Sequence, residues 1–323
     1  MSRPAVRFYD EHPDLADLRE EVIRGLSQRP KSIPPKFFYD ARGSTLFDAI
    51  CDQPEYYPTR TEMAILARHA AEIAAAIGPE AWLVELGCGA SRKIRLLLEA
   101  LRPHAWVGVD ISRDFLRGAA QTLACEYPWL EVHAVCTDFS EHLHLPLVEA
   151  GGRRRVAFFP GSSIGNFDPP QAERFLRGVA EALGRGGALL IGVDLQKDPA
   201  VLDAAYNDAA GVTADFNRNL LVRIRDELGA DVDPEAFAHR AFYDAWRGRV
   251  EMHLVSLRAQ TVRLDGHRFP FQAGETLHTE NSYKYTLDGF EHLARRAGYR
   301  SQRVWTDERG WFSVHLLQVV GGQ

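Results

Sequence analysis

The run Val84-Glu85-Leu86-Gly87-Cys88-Gly89-Ala90-Ser91-Arg92-Lys93, with Trp106-Val107-Gly108-Val109-Asp110 downstream, constrains this chain more than any other stretch. Apolar residues from Trp82 to Leu86 read as a buried strand entering a Gly-x-Gly turn, and Ile94, Leu97, Leu98 and Leu101 then recur at helical spacing. A second apolar run ends at Asp110, where a carboxylate can accept both ribose hydroxyls of an adenosine. A dinucleotide fold would place a third glycine at position 92, to bring helix and pyrophosphate together. Arginine stands there instead. With Glu85 in the strand before the turn, the pattern suits an adenosine ligand without a pyrophosphate, such as S-adenosylmethionine, better than NAD.

Strands and helices keep alternating beyond this turn, as in a parallel α/β sheet. Strands are predicted over 82–86, 105–110, 131–136, 156–159 and 188–193, and helices over 91–101, 113–126 and 170–183, the last closed by Gly184. After Asp194 the alternation stops. A helical stretch over 199–219 leads through 220–228 to a loop around 229–234, and strand-like runs at 249–258, 261–264 and 275–279 predict a small antiparallel sheet. The α/β pattern returns with a helix over 287–297 and a hairpin of strands at 302–306 and 311–320. The predicted architecture is an α/β, Rossmann-like class I methyltransferase sheet with a second, smaller α+β substrate-binding domain. Residues 61–194 and 286–323 form the first domain. Residues 1–60 and 195–285 form the second, a lid, with substrate between it and the carboxyl edge of the sheet. A chain of 323 residues, 46% hydrophobic, has the length for two domains and the apolar content for a sizeable core.

A formal net charge of -6 argues against a nucleic-acid partner. The short cluster Arg153-Arg154-Arg155 reads as a solvated loop before a strand. No apolar run approaches the roughly 18–20 residues of a spanning helix, and the N-terminal stretch has charges and prolines where a secretory signal has an apolar core. No membrane association and a cytoplasmic location are expected. Cys51, Cys88, Cys125 and Cys136 are widely spaced without a Cys-x-x-Cys pair, so neither zinc nor a disulfide framework is expected. His142 and His144 could share a strand face, but no third ligand stands near them in sequence, so no metal is expected. A Gly-x-Ser-x-Gly elbow is absent.

Chemistry-bearing residues gather at predicted loops. Gly87 and Gly89 permit close backbone approach, and the helix N-terminus after them suits a carboxylate. Lys93 can pair with that carboxylate, although a lysine in a first helical turn is ordinarily solvated. Asp138 and Phe139, past the third strand, sit where an adenine amino group needs an acceptor and its ring a neighbour. The loop Gly161-Ser162-Ser163-Ile164-Gly165-Asn166-Phe167 follows the fourth strand at the carboxyl edge, and Asn166 offers both a donor and an acceptor. Polar-aromatic stretches at 37–44, 54–62 and 279–285, with Tyr206, suit a small polar substrate better than a nucleic acid.

In these segments the sequence resembles the histidine-specific methyltransferases that make the trimethylated betaine hercynine in ergothioneine biosynthesis. The resemblance runs over nearly the whole chain. It includes Tyr39-Asp40-Ala41-Arg42-Gly43-Ser44, Glu55-Tyr56-Tyr57-Pro58-Thr59-Arg60, the Glu85–Gly89 turn, the Gly161–Phe167 loop, Ala204-Ala205-Tyr206, Glu251-Met252-His253-Leu254 and Thr279-Glu280-Asn281-Ser282-Tyr283-Lys284. Position by position, it implies that Asn166 and Tyr206 hold an amino acid's backbone groups, with Gly161 and Tyr39 near the amino end. It implies that Tyr56, Glu280 and Ser282 line the imidazole. Gly87, Lys93, Asp110, Asp138 and Phe139 fall on the family's cofactor positions. The implied reaction is threefold methylation of the α-amino group of L-histidine by S-adenosylmethionine, in a monomer. Tyr39 is the candidate for orienting the amine and, through water, taking its proton. A prenylated tryptophan, an ovothiol-type thiohistidine and a non-catalytic S-adenosylmethionine-binding role are the alternatives.

Overall fold

The computed structural model describes residues 6–10, 15–139 and 151–320 of the chain. His142 and His144 lie outside the described residues. The chain divides into two compact units, one drawn from Met1–His12, Pro58–Gln196 and Lys284–Gln323, the other from Pro13–Tyr57 and Lys197–Tyr283.

The first unit is built on an eight-stranded sheet. Its order is Val6–Asp10, Glu131–Cys136, Ala105–Asp110, Trp82–Leu86, Arg155–Phe159, Ala188–Asp194, Phe312–Val319 and Tyr299–Thr306. The first six strands pair in parallel, and the last two form an antiparallel hairpin against Ala188–Asp194. That order and hairpin are the class I methyltransferase arrangement, so the expected fold class is borne out. Trp82–Leu86 and Ala188–Asp194 are buried at every position, as central parallel strands with both faces covered must be. One face packs on the helices Tyr57–Ile77, Arg92–Leu101 and Arg113–Glu126, the other on Pro169–Leu183 and Leu287–Arg296. The order reverses at Trp82–Leu86, with successive strands leaving on either side. Such a switch point is where a ligand crevice opens at the strands' carboxyl ends. Both the Gly87 turn and the Gly161 loop leave the sheet there.

Two expectations need correcting in this unit. Val6–Asp10, assigned with residues 1–60 to the second domain, is an edge strand of the large sheet, with Val6 and Phe8 packed toward one core and Tyr9 toward the other. Arg154, read as solvated, donates to the carbonyls of Ala76, Ile77 and Gly186, so its guanidinium satisfies the end of the helix Tyr57–Ile77.

The second unit carries a four-stranded sheet, ordered Lys31–Ser32, Thr276–Tyr283, Arg249–Ser256 and Phe237–Asp244, and a separate hairpin of Gln260–Leu264 with His267–Phe271. Its helices are Leu15–Ser27, Ala41–Cys51, Pro199–Ala205 and Val212–Leu228. The helical stretch expected over 199–219 is thus broken, and its second part runs on to Leu228. Gly211 turns left-handed at φ 76°, and the Asp208 carboxylate accepts from the backbone N–H groups of Val212 and Thr213, starting a new helix there. Among the described residues, no helix is long and apolar enough to cross a membrane.

Candidate active site

In the first unit the Gly-x-Gly turn is tied to the second strand by its own carboxylate. Gly87 adopts φ 67°. Asp110 accepts from the Gly89 N–H and the Ser112 N–H, each at 2.9 Å, one per oxygen. Each oxygen retains lone-pair capacity, so a diol could still be bound. Burial pushes the Asp110 pKa up, against these backbone bonds. Below the turn, Glu85 is buried, and the Trp106 indole N–H donates to it at 2.9 Å. Burial raises Glu85 to about 8, opposed by the Trp106 bond and the positive charges of Lys93 and Arg95, so the carboxyl is largely protonated at neutral pH.

Around the turn stand the other residues singled out in this unit. The Phe139 ring lies 3.6 Å from where a Cβ on Gly87 would be, and it meets Phe159 edge-on at 6.0 Å. Asp138, half-buried, precedes it past the Glu131–Cys136 strand. Gly161 has φ 81°, and Lys93 Nζ lies 3.3 Å from where its Cβ would be, so a side chain there would crowd the ammonium. Asn166 ends the short 3-10 turn Ser163–Asn166 that follows. Lys93 is not simply solvated: it forms a 2.6 Å ion pair with Glu62. Glu62 was assigned no role from sequence. Its signal was a glutamate one turn before the core residues Ile65 and Leu66, on the apolar side of its helix.

The second unit gathers the remaining candidates. Tyr56, Tyr206, Glu280 and Ser282 are all buried. Tyr206 donates its hydroxyl to Ser282 Oγ at 2.7 Å, and its ring meets that of Tyr56 edge-on at 6.3 Å. Burial drives the Tyr56 pKa well above its ordinary value, and Tyr206, Cys51, Tyr39 and Glu280 push it the same way, so Tyr56 stays a neutral phenol beside a carboxylate. The Tyr39 ring is held edge-on by Phe47 and Phe216, each at 5.7 Å. Behind Tyr206, Asn217 donates to His239 Nδ1 at 2.9 Å. His239 Nε2 then donates to the Tyr206 carbonyl at 2.9 Å, which fixes a neutral tautomer.

A bulge sorts the strand Thr276–Tyr283 into two chemical faces. The register passes from His278 opposite His253 to Glu280 opposite Met252, leaving Thr279 as the extra residue. Thr279 is fully buried and donates to Asn217 Oδ1 at 2.8 Å. Glu280 and Ser282 therefore share a face with Met252 and Val250. His278 and Asn281, which would alternate in a regular strand, bond to each other at 2.8 Å on the opposite face.

That opposite face holds the one group of metal-type donors among the described residues, Glu251, His253 and His278, with ligand atoms within 4.8 Å of one another. Arg249 already donates to Glu251 Oε1 at 2.6 and 2.9 Å, and His278 bonds both Asn281 and Ser32. The group is built as a hydrogen-bonded network around an arginine, whose charge opposes a cation.

A profile of histidine-specific, S-adenosylmethionine-dependent methyltransferases matches residues 18–319. The chain belongs to that family. It is 46% identical over 306 residues to a histidine N-alpha-methyltransferase of Mycolicibacterium smegmatis, covering 93% of this chain and 94% of that one. It is 44% identical over 305 residues to a protein of the same name from Mycobacterium tuberculosis, with the same coverage. An ergothioneine biosynthesis protein 1 of Neurospora crassa is 32% identical over 308 residues, 89% of this chain and 33% of that longer protein. The first unit thus holds a glycine turn, a carboxylate with spare acceptor capacity and an ammonium paired with Glu62. The second holds a buried carboxylate, phenols and a hydroxyl.

Proposed function

We propose that this protein transfers methyl groups from S-adenosylmethionine to the α-amino nitrogen of L-histidine, three times, giving hercynine in ergothioneine biosynthesis. It would act as a cytoplasmic monomer on the free amino acid. The observation that carries this reading is the buried Tyr56, Tyr206, Glu280 and Ser282 group in a chain of the histidine-specific family. An imidazole donates from one nitrogen and accepts at the other, which a carboxylate and a hydroxyl two residues apart can meet together.

S-adenosylmethionine supplies an electrophilic methyl on a sulfonium, and the amine must meet it in line as a neutral nucleophile. Gly87, Lys93, Asp110, Asp138 and Phe139 are read as its holders: the open glycine turn for backbone approach, Lys93 for the carboxylate, Asp110 for the ribose, Asp138 and Phe139 for the adenine. Asn166 and Tyr206 hold the amino acid's backbone groups, with Gly161 near its amino end. The second unit serves as the substrate-binding domain. Its phenol-lined surroundings disfavour the ammonium and so favour the neutral amine. Tyr39 is the candidate for orienting that amine and, through water, taking its proton.

The test is mass spectrometry of histidine incubated with the protein and methyl-labelled S-adenosylmethionine. Mono-, di- and trimethylated histidine are expected, with tryptophan, phenylalanine and a thiohistidine as controls. Labelling of a control in preference to histidine, or of nothing, refutes the reading.

A further inference from the structure

We propose that Glu62 is a positioning residue for the transfer, holding the Gly161–Asn166 loop in its working conformation through a carboxylate fixed by Lys93. The kinetic consequence rests on the histidine methyltransferase reading; the structural one does not.

Glu62 is completely buried, a costly place for a carboxylate unless it is paired and hydrogen-bonded. Both conditions are met by groups of the candidate site. The Lys93 ammonium lies 2.6 Å from Oε2. The Gly161 N–H points between the two oxygens, at 2.9 and 3.1 Å. From the sheet side, Gly192 closes on the same carboxylate: a Cβ there would stand 2.0 Å from Glu62 Oε1. One side chain thus ties the helix Tyr57–Ile77 to the start of the helix Arg92–Leu101 and to the loop after Arg155–Phe159.

That loop needs tying. Gly161 and Ser162 are consecutive left-handed residues, at φ 81° and 58°, and the second is not a glycine. Such backbone persists only where its surroundings over-determine it. Two bonds do so here: the Gly161 N–H to Glu62, and the Asp194 N–H to Ser162 Oγ at 2.8 Å. Removing the first releases the turn that leads into Asn166, and a misplacement of about 1 Å costs roughly a hundredfold in an aligned transfer.

The experiment compares Glu62→Ala, Glu62→Gln and Gly192→Ala by two readouts. The first is hydrogen exchange of the backbone over 161–167 in ligand-free protein. The second is kcat and KM for histidine at saturating S-adenosylmethionine, per folded molecule. Glutamine keeps an acceptor for the Gly161 N–H and alanine does not. Exchange should therefore rise most in Glu62→Ala and less in Glu62→Gln, with kcat/KM falling about a hundredfold or more in the first and less in the second. Gly192→Ala, which displaces the carboxylate without changing it, should follow Glu62→Ala in direction and carries the test if that variant does not fold. Wild-type exchange over 161–167 in Glu62→Ala, or wild-type kcat and KM despite a lowered Tm, overturns the proposal. So does an equal loss in the Gln and Ala variants. A wild-type protein that fails to methylate histidine refutes the functional reading instead, and the exchange series still decides the role of Glu62.

Discussion

The Tyr206 hydroxyl donates to Ser282 Oγ across 2.7 Å, and both side chains are buried. The bond orients the serine: with its oxygen accepting from the phenol, the serine's own proton is left to point elsewhere. Tyr206→Phe removes that orientation without opening a cavity. The loss should be about 1 kcal/mol in kcat/KM for histidine, roughly fivefold. If the pair acts as a unit, Tyr206→Phe combined with Ser282→Ala should cost less than the sum of the two single changes. A double-mutant cycle on kcat/KM measures this, and strict additivity would exclude the coupling.

Asp110 holds its own turn as well as its proposed ligand, so truncation to alanine would strand the Gly89 and Ser112 N–H groups. Asp110→Asn keeps one acceptor oxygen and removes the charge. It should weaken S-adenosylmethionine binding by about 1.5–3 kcal/mol, roughly ten- to over a hundredfold, as loss of a charge-assisted hydrogen bond. Unchanged affinity by calorimetry would rule out the ribose role.

Much of this was legible in the sequence because parallel strands buried on both faces are short, continuously apolar and punctuated by helices. Each of the five strands expected between Trp82 and Val193 is present within one residue. The strand Phe237–Asp244 carries no such signal, being half-exposed with a histidine and an arginine among its apolar residues. Val6–Asp10 is five residues whose pairing with Glu131–Cys136 joins distant parts of the chain, which local periodicity cannot register. Of the site, the glycine turn and Asp110 are readable because their chemistry requires fixed spacing. Glu62 is not, because nothing local to its helix says that Gly161 and Lys93 will meet it.

Lys284 and Asp194 form a 2.8 Å ion pair in which both side chains are essentially inaccessible to solvent. Replacing one partner leaves the other charged and buried, so Lys284→Met should cost about 3–5 kcal/mol of stability. Adding Asp194→Asn should recover part of that loss. Denaturant unfolding of the three variants checks this, and a Lys284→Met protein as stable as wild type would show the pair to be energetically idle.

Glu85 makes stability depend on pH in an unusual direction for a carboxyl. Burial raises it from 4.5 to about 8. The folded state therefore holds its proton more tightly than the unfolded chain does. The resulting stability is complete below about pH 4.5 and is lost as pH rises through about 8. Glu85→Gln mimics the protonated form and has no proton to lose. Its Tm should fall less between pH 6 and 9 than that of wild type, and parallel curves would show that Glu85 ionises freely.

Glu280 gives the sharpest test of substrate choice. The bulge at Thr279 leaves Glu280 and Ser282 on one face, Glu280 opposite Met252, while the Arg249–Glu251–His253 network occupies the other. Glu280 is a buried carboxylate on the face of Met252 and Val250, a side chain able to accept a ligand's N–H. If it accepts the imidazole N–H, Glu280→Ala leaves that donor unpaired, at a cost of about 1.5–3 kcal/mol in kcat/KM for histidine. Phenylalanine has no ring donor to strand and should lose far less. Tryptophan does have an indole N–H, but it offers no acceptor for Ser282 to answer, so its loss should be intermediate. Discrimination among the three would then relax. A carboxylate that only braces the protein would instead lower all three in proportion. Measuring kcat/KM for histidine, phenylalanine and tryptophan on wild type and Glu280→Ala separates the two, and an equal proportional loss removes Glu280 as the reader of the ring.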